Sequence, residues 1–435
     1  MSDKFIKLKP SNLRSGQLNL PGSKSISNRI LLLSSLAKGN TIINNLLFSD
    51  DTEFMISSLK KLGIYIKINK RLNQCIIKGS NNYFPIKKVN LYIGNAGTAI
   101  RPLAATLAFN NGSYKLFGTV RMHERPIKDL VDSLNSMGAK IEYINKFGFP
   151  PIRIKSGNQN SHKVNVKGNV SSQFLTSIIL SSTIFSKNKD FKINIDGTLI
   201  SKPYVNITLK LMKLFGVKII EKRNKSFLIP AQQKLISPKL INVEADASSA
   251  SYFLAAAAIG GGTIKINGVG SKSIQGDIQF IKILKKMGAN IKLKEYSVEV
   301  SCNKILMPIN EDLNHIPDTA MTIAILALYA DGISVLKNIG SWRVKETDRL
   351  KAMSTELRKV GANIIEGDDF LQVGPPIKFK NASIDTYDDH RMAMSFSLLS
   401  LNSINKKGAF IKINDPNCVS KTFPNYFDYF KKISY

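Results

Sequence analysis

The sequence of 435 residues is poor in the side chains that build metal sites and disulfide scaffolds. It has three cysteines and four histidines. Cys75, Cys302 and Cys418 stand far apart, with no CxxC pair and no HExxH pattern nearby. Disulfide frameworks and thiolate zinc sites need paired cysteines, and histidine zinc sites need clustered imidazoles. We therefore expect neither a disulfide framework nor a metal site.

Long apolar runs are also missing. No segment approaches the roughly 18 consecutive apolar residues of a membrane-spanning helix. The first residues, MSDKFIKLKP, lack the apolar stretch of a secretory signal. With 43% hydrophobic and 21% charged residues, the chain has a globular composition. Its length favours two or three domains, and we expect it in the cytoplasm, away from membranes.

Acidic residues are few beside the basic ones, and the formal net charge is +31. Such a charge is compatible with a nucleic-acid-binding module. The lysines, however, are spread over the whole length without a dense basic tail. We therefore favour compositional bias together with an anionic small-molecule substrate, and we keep nucleic-acid binding as an alternative.

One pattern recurs along the chain: the apolar end of a helix, a glycine, and then an alternating strand. Examples are LKKLGIYIKI (59–68) and LNSMGAKIEY (134–143). The glycines of the five copies are Gly63, Gly138, Gly216, Gly288 and Gly361, spaced 72 to 78 residues apart. Glycine suits the position after a helix because a left-handed conformation costs it little. The chain is therefore built from repeated α/β units.

The two ends of the chain complete this repeat. The last residues read as a sixth helix with no strand after it, and FIKLK near the start reads as a strand with no helix before it. Six units of about 70 residues are each too small to bury a core alone. We predict two similar α/β domains of three units each, with crossings near Pro21 and Val243. One domain spans 22–243, and the other combines 1–21 with 244–435.

Two segments have the pattern of anion sites at helix N-termini. LPGSKSISNRILLLSSLA (20–37) predicts a turn, a serine cap from Ser23 or Ser25, and an apolar helix with Lys24 and Arg29 near its start. IGNAGTAIRPLAATLA (93–108) predicts a strand, a Gly-rich turn and a helix. Free N–H groups and the helix dipole favour anions at such ends. Each segment alone is equally compatible with an ordinary capped helix.

These segments and several others resemble the 5-enolpyruvylshikimate-3-phosphate synthases. The further motifs are RMHERPIKDL (121–130), GNVSSQFLTS (168–177), ISKPYVNITL (200–209), EADASSASYF (244–253), IPDTAMT (316–322), WRVKETDRL (342–350), DDHRMAMS (388–395) and DPNCVSKTFPNYF (415–427). They cover nearly the whole chain in order. The resemblance implies two domains of three βαβαββ units, with the active site in the cleft between them.

The resemblance also implies a reaction: transfer of the enolpyruvyl group of phosphoenolpyruvate to the 5-hydroxyl of shikimate 3-phosphate. Phosphate leaves through a tetrahedral intermediate, in the pathway to chorismate and the aromatic amino acids. No cofactor or metal is implied, and a monomer is expected. The pattern GNAGTAIRP, with Gly97 and Pro102, resembles glyphosate-sensitive members.

The site residues implied by the resemblance fall into three sets. Those for phosphoenolpyruvate are Lys24, Asn95, Gly97, Arg125, Gln173, Arg349, Arg391 and Lys421. Those for shikimate 3-phosphate are Ser25, Arg29, Ser171, Ser172, Gln173, Ser201, Tyr204, Asp318, Ser341 and Lys345. The catalytic candidates are Lys24 and Glu346 for proton transfer at the methylene carbon, Asp318 as base for the hydroxyl, and His390 in an assisting role. Arginine suits such planar anions because it binds them bidentately.

Some readings remain open. Ser341 stands where this family often has Asn, and because serine is shorter, we expect its contact with substrate to be either lost or water-mediated. Lys345, Glu346 and Arg349 have helical spacing, and Glu346 with Arg349 could be a plain surface pair. Cys418, near Lys421, is expected to be a buried thiol because no base accompanies it in the sequence.

The nearest alternative activity is that of the enolpyruvyl transferases that act on UDP-N-acetylglucosamine. That family carries a reactive cysteine in a loop of the first domain. The corresponding region here, near 117–125, has none. The Ser-Ser-Gln run and the KETDR motif also favour shikimate 3-phosphate.

Overall fold

The computed structural model describes residues 4–222 and 225–435. The chain divides into two compact units. One is Gly22–Val243, and the other joins the residues up to Pro21 with Glu244–Tyr435. The division falls beside Pro21 and Val243, where the repeat places the chain crossings.

Helices and strands are interspersed along the chain. The strands are β1 (Phe5–Leu8), β2 (Gly16–Asn19), β3 (Asn40–Asn44), β4 (Tyr65–Asn69), β5 (Gln74–Lys78), β6 (Lys88–Tyr92), β7 (Ser113–Phe117), β8 (Lys140–Tyr143), β9 (Ile152–Lys155), β10 (Lys163–Lys167), β11 (Phe191–Asp196), β12 (Ile220–Lys222), β13 (Ser226–Ile229), β14 (Leu240–Asn242), β15 (Thr263–Asn267), β16 (Asn290–Leu293), β17 (Ser297–Ser301), β18 (Asn310–Asp312), β19 (Ser334–Lys337), β20 (Asn363–Glu366), β21 (Leu371–Gly374), β22 (Ala382–Ile384) and β23 (Ile411–Asn414). The α-helices are α1 (Lys24–Leu36), α2 (Asp50–Lys61), α3 (Gly97–Leu107), α4 (Lys128–Asn135), α5 (Ser172–Leu180), α6 (Ser182–Phe185), α7 (Lys202–Leu214), α8 (Ala247–Gly260), α9 (Phe280–Lys286), α10 (Ala320–Ala327), α11 (Arg349–Lys359), α12 (His390–Ser397) and α13 (Tyr426–Ile433). Short 3-10 segments lie at Arg121–Glu124, Gly276–Gln279, Gly340–Val344, Leu398–Ser400 and Pro416–Lys421.

The unit Gly22–Val243 contains three four-stranded sheets of one design. Their strand orders are β6-β7-β9-β8, β10-β11-β13-β12 and β14-β3-β5-β4. In each sheet the first two strands run parallel and the rest pair antiparallel. In the third sheet the first strand is β14, which comes from the end of the unit and lies parallel to β3. Each sheet with its helices therefore forms one βαβαββ repeat.

The other unit repeats this design. Its sheets are ordered β16-β17-β15-β2, β18-β19-β21-β20 and β1-β23-β22. The strands β1 and β2 at the start of the chain belong here: β2 lies parallel to β15, and β1 runs antiparallel to β23 with Phe5 opposite Asn414. The N-terminal residues thus complete the first and the last repeats of this unit.

The five glycines of the repeat end helices, as the sequence predicts. Gly63 and Gly138 have φ of 92° and 97°, and Gly216, Gly288 and Gly361 have φ of 82°, 101° and 94°. They follow α2, α4, α7, α9 and α11 and precede the strands β4, β8, β12, β16 and β20. A left-handed residue at this position turns the chain from helix into strand.

A second class of helix is buried on nearly every side and carries the core. In one unit these helices are α1, α3 and α5, and in the other they are α8, α10 and α12. Small and apolar residues such as the AAAA run at 255–258 allow this burial. The buried helices begin beside the motifs expected to bind anions. The candidate site residues therefore lie at the N-termini of these helices.

Residues 4–222 and 225–435 include no helix long and apolar enough to cross a membrane. The same residues include no group of three or more His, Cys, Asp or Glu side chains placed to hold a metal ion.

Candidate active site

In the unit Gly22–Val243, candidate residues occupy the first positions of the buried helices. Lys24, Gly97 and Ser172 are the first residues of α1, α3 and α5. The first N–H groups of a helix have no partner within it and attract anions. Three such helix ends therefore carry the predicted residues of this unit.

Lys24 is nearly buried, with 8% of its surface exposed. Its Nζ lies 3.3 Å from Asp51 Oδ2 in the first turn of α2. The expected serine cap is wrong in one respect: Ser23 holds the N-cap position, but its side chain makes no capping hydrogen bond. Ser25 lies inside the first turn. The start of α1 therefore presents backbone N–H groups together with a lysine that Asp51 orients.

Arg29 is buried, and its guanidinium binds groups of its own unit. Nε donates to Thr208 Oγ1 at 2.9 Å, and Nη1 donates to the Ser25 carbonyl at 2.8 Å. Nη2 donates to the Tyr204 carbonyl at 3.3 Å. Burial lowers the pKa of Arg29 to about 10, against a smaller opposing effect of Tyr204. The side chain therefore stays charged at neutral pH while it joins α1 to α7.

Gly97 lies against two guanidinium groups. A Cβ added to it would stand 2.5 Å from Arg101 Nη1 and 2.8 Å from Arg125 Nη2. Arg125 donates to the Asn95 carbonyl at 2.8 Å and to Asn95 Oδ1 at 3.0 Å. Arg101 donates to Gln173 Oε1 at 2.5 Å. The absence of a side chain at 97 therefore lets two buried cations approach the start of α3.

The remaining predicted residues of this unit lie at the starts of α5 and α7. Ser171 is the N-cap of α5 and accepts a hydrogen bond from the Gln173 N–H at 3.2 Å. Ser201 is the N-cap of α7 with φ of 51°, and Tyr204 follows in the first turn. Short hydroxyl donors at helix starts suit a phosphate.

In the other unit, cations surround Asp318. Its Oδ1 accepts from Arg349 Nη1 at 3.1 Å, and its Oδ2 accepts from Arg391 Nη2 at 3.0 Å. Lys345 Nζ lies 3.6 Å from Oδ1. Burial alone would raise the pKa of Asp318. The three cations outweigh burial and hold this pKa well below its usual range, so the group is a carboxylate.

Arg349 is 1% exposed and contacts three carboxylates. Besides Asp318, its Nη2 donates to Glu346 Oε2 at 2.8 Å and its Nε donates to Asp389 Oδ2 at 2.7 Å. Burial alone would lower the pKa of Arg349, but the carboxylates outweigh it and raise that pKa. Lys421 Nζ lies 4.0 Å from Glu346 Oε1.

The helical spacing of Lys345, Glu346 and Arg349 proved misleading. Helix α11 begins at Arg349, so Lys345 and Glu346 precede it. The pair of Glu346 and Arg349 is buried, which excludes the plain surface pair. The turn before α11 therefore brings a carboxylate and two cations together around Asp318.

His390 and Arg391 open α12, and Asp389 is its N-cap. His390 is fully buried, with Nδ1 3.7 Å from Asp389 Oδ1. Arg391 Nη1 donates to the Tyr252 hydroxyl at 3.3 Å. Ser341 lies in the 3-10 segment Gly340–Val344 beside the fully buried Trp342, whose Nε1 donates to the Pro317 carbonyl at 2.7 Å. That bond fixes the backbone just before Asp318.

The three cysteines are buried. Burial raises the pKa of the Cys75 thiol to about 12 and raises that of Cys418 as well. A thiol held protonated is a poor nucleophile. The expectation that Cys418 is a buried thiol is confirmed.

Sequence reasoning missed three residues that the structure places among the candidates: Asp51 beside Lys24, Arg101 beside Gly97, and Asp389 beside Arg349. Two of them carried a signal. Arg101 follows Gly97 by four residues, and this spacing on a helix puts both on one face. Asp389 precedes a helix start, where Asp is a preferred cap. Asp51 lies too far along the chain for such a local signal.

Solved structures share this fold of two units. An EPSP synthase from Acinetobacter baumannii matches with a TM-score of 0.79 at 24% identity, covering 99% of this chain and 98% of that one. The enolpyruvyl transferase NikO from Streptomyces tendae matches with a TM-score of 0.73 at 13% identity, covering 99% and 97%. The fold is therefore that of the enolpyruvyl transferases.

Sequence comparison identifies the family within the enolpyruvyl transferases. The family model "EPSP synthase (3-phosphoshikimate 1-carboxyvinyltransferase)" matches residues 8–430. A 3-phosphoshikimate 1-carboxyvinyltransferase from Janthinobacterium sp. (strain Marseille) is 53% identical over 430 residues, covering 99% of this chain and 98% of the relative. Another, from Paraburkholderia phytofirmans, is 52% identical and covers 99% of both. The chain belongs to the EPSP synthase family and is an enzyme.

Proposed function

We propose that this enzyme transfers the enolpyruvyl group of phosphoenolpyruvate to the 5-hydroxyl of shikimate 3-phosphate and releases phosphate. Full-length relatives at 53% identity with the name 3-phosphoshikimate 1-carboxyvinyltransferase support the acceptor. The observation that carries the chemistry is the cluster of Lys345, Arg349 and Arg391 around the carboxylate of Asp318. Cations held in fixed positions, two of them buried, suit a substrate pair with two phosphates and two carboxylates.

The reaction needs a proton at C3 of phosphoenolpyruvate, attack of the hydroxyl at C2, and then loss of phosphate and a proton. Lys24 and Glu346 are proposed to move protons at the methylene carbon, and Asp318 to accept the proton of the hydroxyl. Arg349 and Arg391 stabilise the negative charge that develops on the tetrahedral intermediate.

The low pKa of Asp318 has a consequence for its proposed role as a base. A carboxylate held ionised by Arg349 and Arg391 is a weak base. Substrate anions that bind these arginines would draw their charge away from Asp318. Its pKa would then rise toward a value at which it can accept a proton, so substrate binding itself would activate the base.

The other predicted residues complete this proposal. Gly97, Arg125 and Lys421 are assigned to phosphoenolpyruvate, and Ser171 and Ser172 to the phosphate of shikimate 3-phosphate. A contact from Ser341, an assisting role for His390 and a monomeric state rest on the resemblance alone and belong to the same proposal. A cytoplasmic location, expected from the lack of long apolar runs and of a secretory signal, belongs to it as well.

The test is phosphate release from phosphoenolpyruvate with one acceptor at a time. Shikimate 3-phosphate should support turnover, whereas UDP-N-acetylglucosamine and a reaction without acceptor should not. Turnover with UDP-N-acetylglucosamine but not with shikimate 3-phosphate would show that the proposed acceptor is wrong. Salt-sensitive binding to duplex DNA without transfer to either acceptor would favour the nucleic-acid-binding alternative.

A further inference from the structure

The segment before α12 contains two consecutive residues with a left-handed backbone. Tyr387 has φ of 54° and Asp388 has φ of 53°. The Cβ of any side chain crowds the backbone in this region; the short polar side chain of aspartate offsets the cost by local hydrogen bonding, whereas a bulky aromatic side chain does not. The pair lies between the end of β22 at Ile384 and the start of α12 at His390. Such a turn persists only where its surroundings hold it.

Glu356 of α11 contacts this segment directly. Its Oε1 accepts from the Tyr387 hydroxyl at 2.7 Å, and its Oε2 accepts from the Asp385 N–H at 3.1 Å. Lys359 Nζ lies 2.8 Å from Oε2. The Glu356 side chain is fully buried. A buried carboxylate with three donors is held firmly, because loss of any partner would leave charge uncompensated.

The same helix holds the other side of the turn. Arg349 lies seven residues before Glu356, so both side chains project from one face of α11. Arg349 donates to both oxygens of Asp389, at 2.7 and 3.3 Å. Asp389 in turn accepts from the Arg391 N–H at 2.9 Å and caps α12. The left-handed pair is therefore fixed on both sides by α11.

We propose that Glu356 is a positioning residue for enolpyruvyl transfer: through Tyr387 it holds the left-handed turn that sets His390 and Arg391 at the start of α12. Burial, followed by the hydrogen bond to Glu356, raises the pKa of the Tyr387 phenol above its ordinary value. The hydroxyl therefore stays protonated and donates throughout the neutral range. The inference rests on the proposed function, in which Arg391 binds phosphoenolpyruvate.

The first test variant removes only the phenol oxygen atom of Tyr387. Tyr387→Phe keeps the ring but breaks the bond to Glu356, so the turn can relax and the Arg391 guanidinium can shift. The KM for phosphoenolpyruvate should rise about tenfold, because a shift of a positioned binding group by about 1 Å can cost up to roughly 100-fold. The KM for shikimate 3-phosphate should change less. Glu356→Leu, which removes both acceptor oxygens at similar volume, should act the same way, and the double variant should fall short of the product of the two single effects, because both break one contact.

Tyr329→Phe is the matched control. The Tyr329 hydroxyl is fully buried in the same unit and donates to the carbonyls of Leu398 and Leu401 at 3.1 and 3.0 Å. Its removal should lower the melting temperature and leave both KM values within twofold of the parent.

The outcomes separate the inference from the proposed function. If the unmodified enzyme releases no phosphate with shikimate 3-phosphate, the proposed function fails first. If it does, and Tyr387→Phe and Glu356→Leu alter only melting temperature as Tyr329→Phe does, Glu356 is a structural residue and the inference is wrong.

Discussion

Gly97→Ala adds one methyl group where two buried cations converge. The new Cβ would stand 2.5 Å from Arg101 Nη1 and 2.8 Å from Arg125 Nη2. Carbon atoms in good contact stay about 3.5 Å from their neighbours, so the Arg101 tip would retreat by roughly 1 Å. Arg101 has little freedom to do so, since Gln173 and the Pro126 carbonyl hold it at 2.5 and 3.1 Å. One or both of these bonds would break.

The change affects both stability and binding. Loss of one hydrogen bond to a charged group costs about 1.5–3 kcal/mol of folding stability, which the better helix propensity of alanine offsets by up to about 1 kcal/mol. Guanidinium groups displaced by roughly 1 Å should raise the KM for phosphoenolpyruvate roughly 10- to 100-fold. Glyphosate should compete with phosphoenolpyruvate in the parent enzyme, and inhibition should weaken in the variant by a similar factor.

The assay is initial-rate phosphate release at varied phosphoenolpyruvate, with and without glyphosate, beside a melting curve. Gly216→Ala is the control. Gly216 has φ of 82° and no atom within 4 Å of an added Cβ, so this change should destabilise the protein and leave KM unchanged. An unchanged KM and unchanged inhibition in Gly97→Ala would refute the placement of Gly97 in the phosphoenolpyruvate site.

Three further outcomes are expected. Lys24→Met should abolish turnover while the melting temperature stays within a few degrees, since it removes a cation held by Asp51 but no core packing; near-normal turnover would remove Lys24 from the mechanism. Asp318 has a lowered pKa in the folded state, so its contribution to stability is present above its unfolded pKa of about 3.9 and is lost as pH falls toward the folded value. The melting-temperature difference between parent and Asp318→Asn should therefore shrink as pH is lowered below about 5 in thermal scans; a constant difference would contradict the ion cluster. Iodoacetamide at pH 8 should leave turnover intact, because the three cysteines are buried and burial raises the pKa of the Cys75 and Cys418 thiols; substrate-protected inactivation would point to a reactive thiol as in the UDP-N-acetylglucosamine enzymes.

Local patterns predicted local structure well. The glycine at the end of each helix, the helix starts at Lys24 and Gly97, and the strands that follow Gly63 or Gly288 depend on neighbours within a few residues. Such signals arise from backbone conformation and helix capping, which a short stretch of sequence determines.

The contacts within the candidate site could not be predicted in this way. Arg101 meets Gln173 across 72 residues, and Arg391 meets Asp318 across 73. These distances depend on how the repeats pack, and no local pattern encodes that packing. The family resemblance supplied Arg391 and Gln173 but said nothing of their partners. The left-handed Tyr387 had no sequence signal either, because its conformation depends on a hydrogen bond to Glu356 from another element.

The position of β1 affects how the protein is made. This strand is synthesised long before its partner β23, because Phe5 pairs with Asn414. At about 5–20 residues per second, roughly 400 residues take some 20–80 seconds. During that time FIKL is an apolar strand without a partner, of the kind that promotes aggregation. Lysines at 4, 7 and 9 lie within and beside it, and such charges keep a waiting strand soluble. We expect these lysines to keep β1 soluble until β23 is available to pair with it.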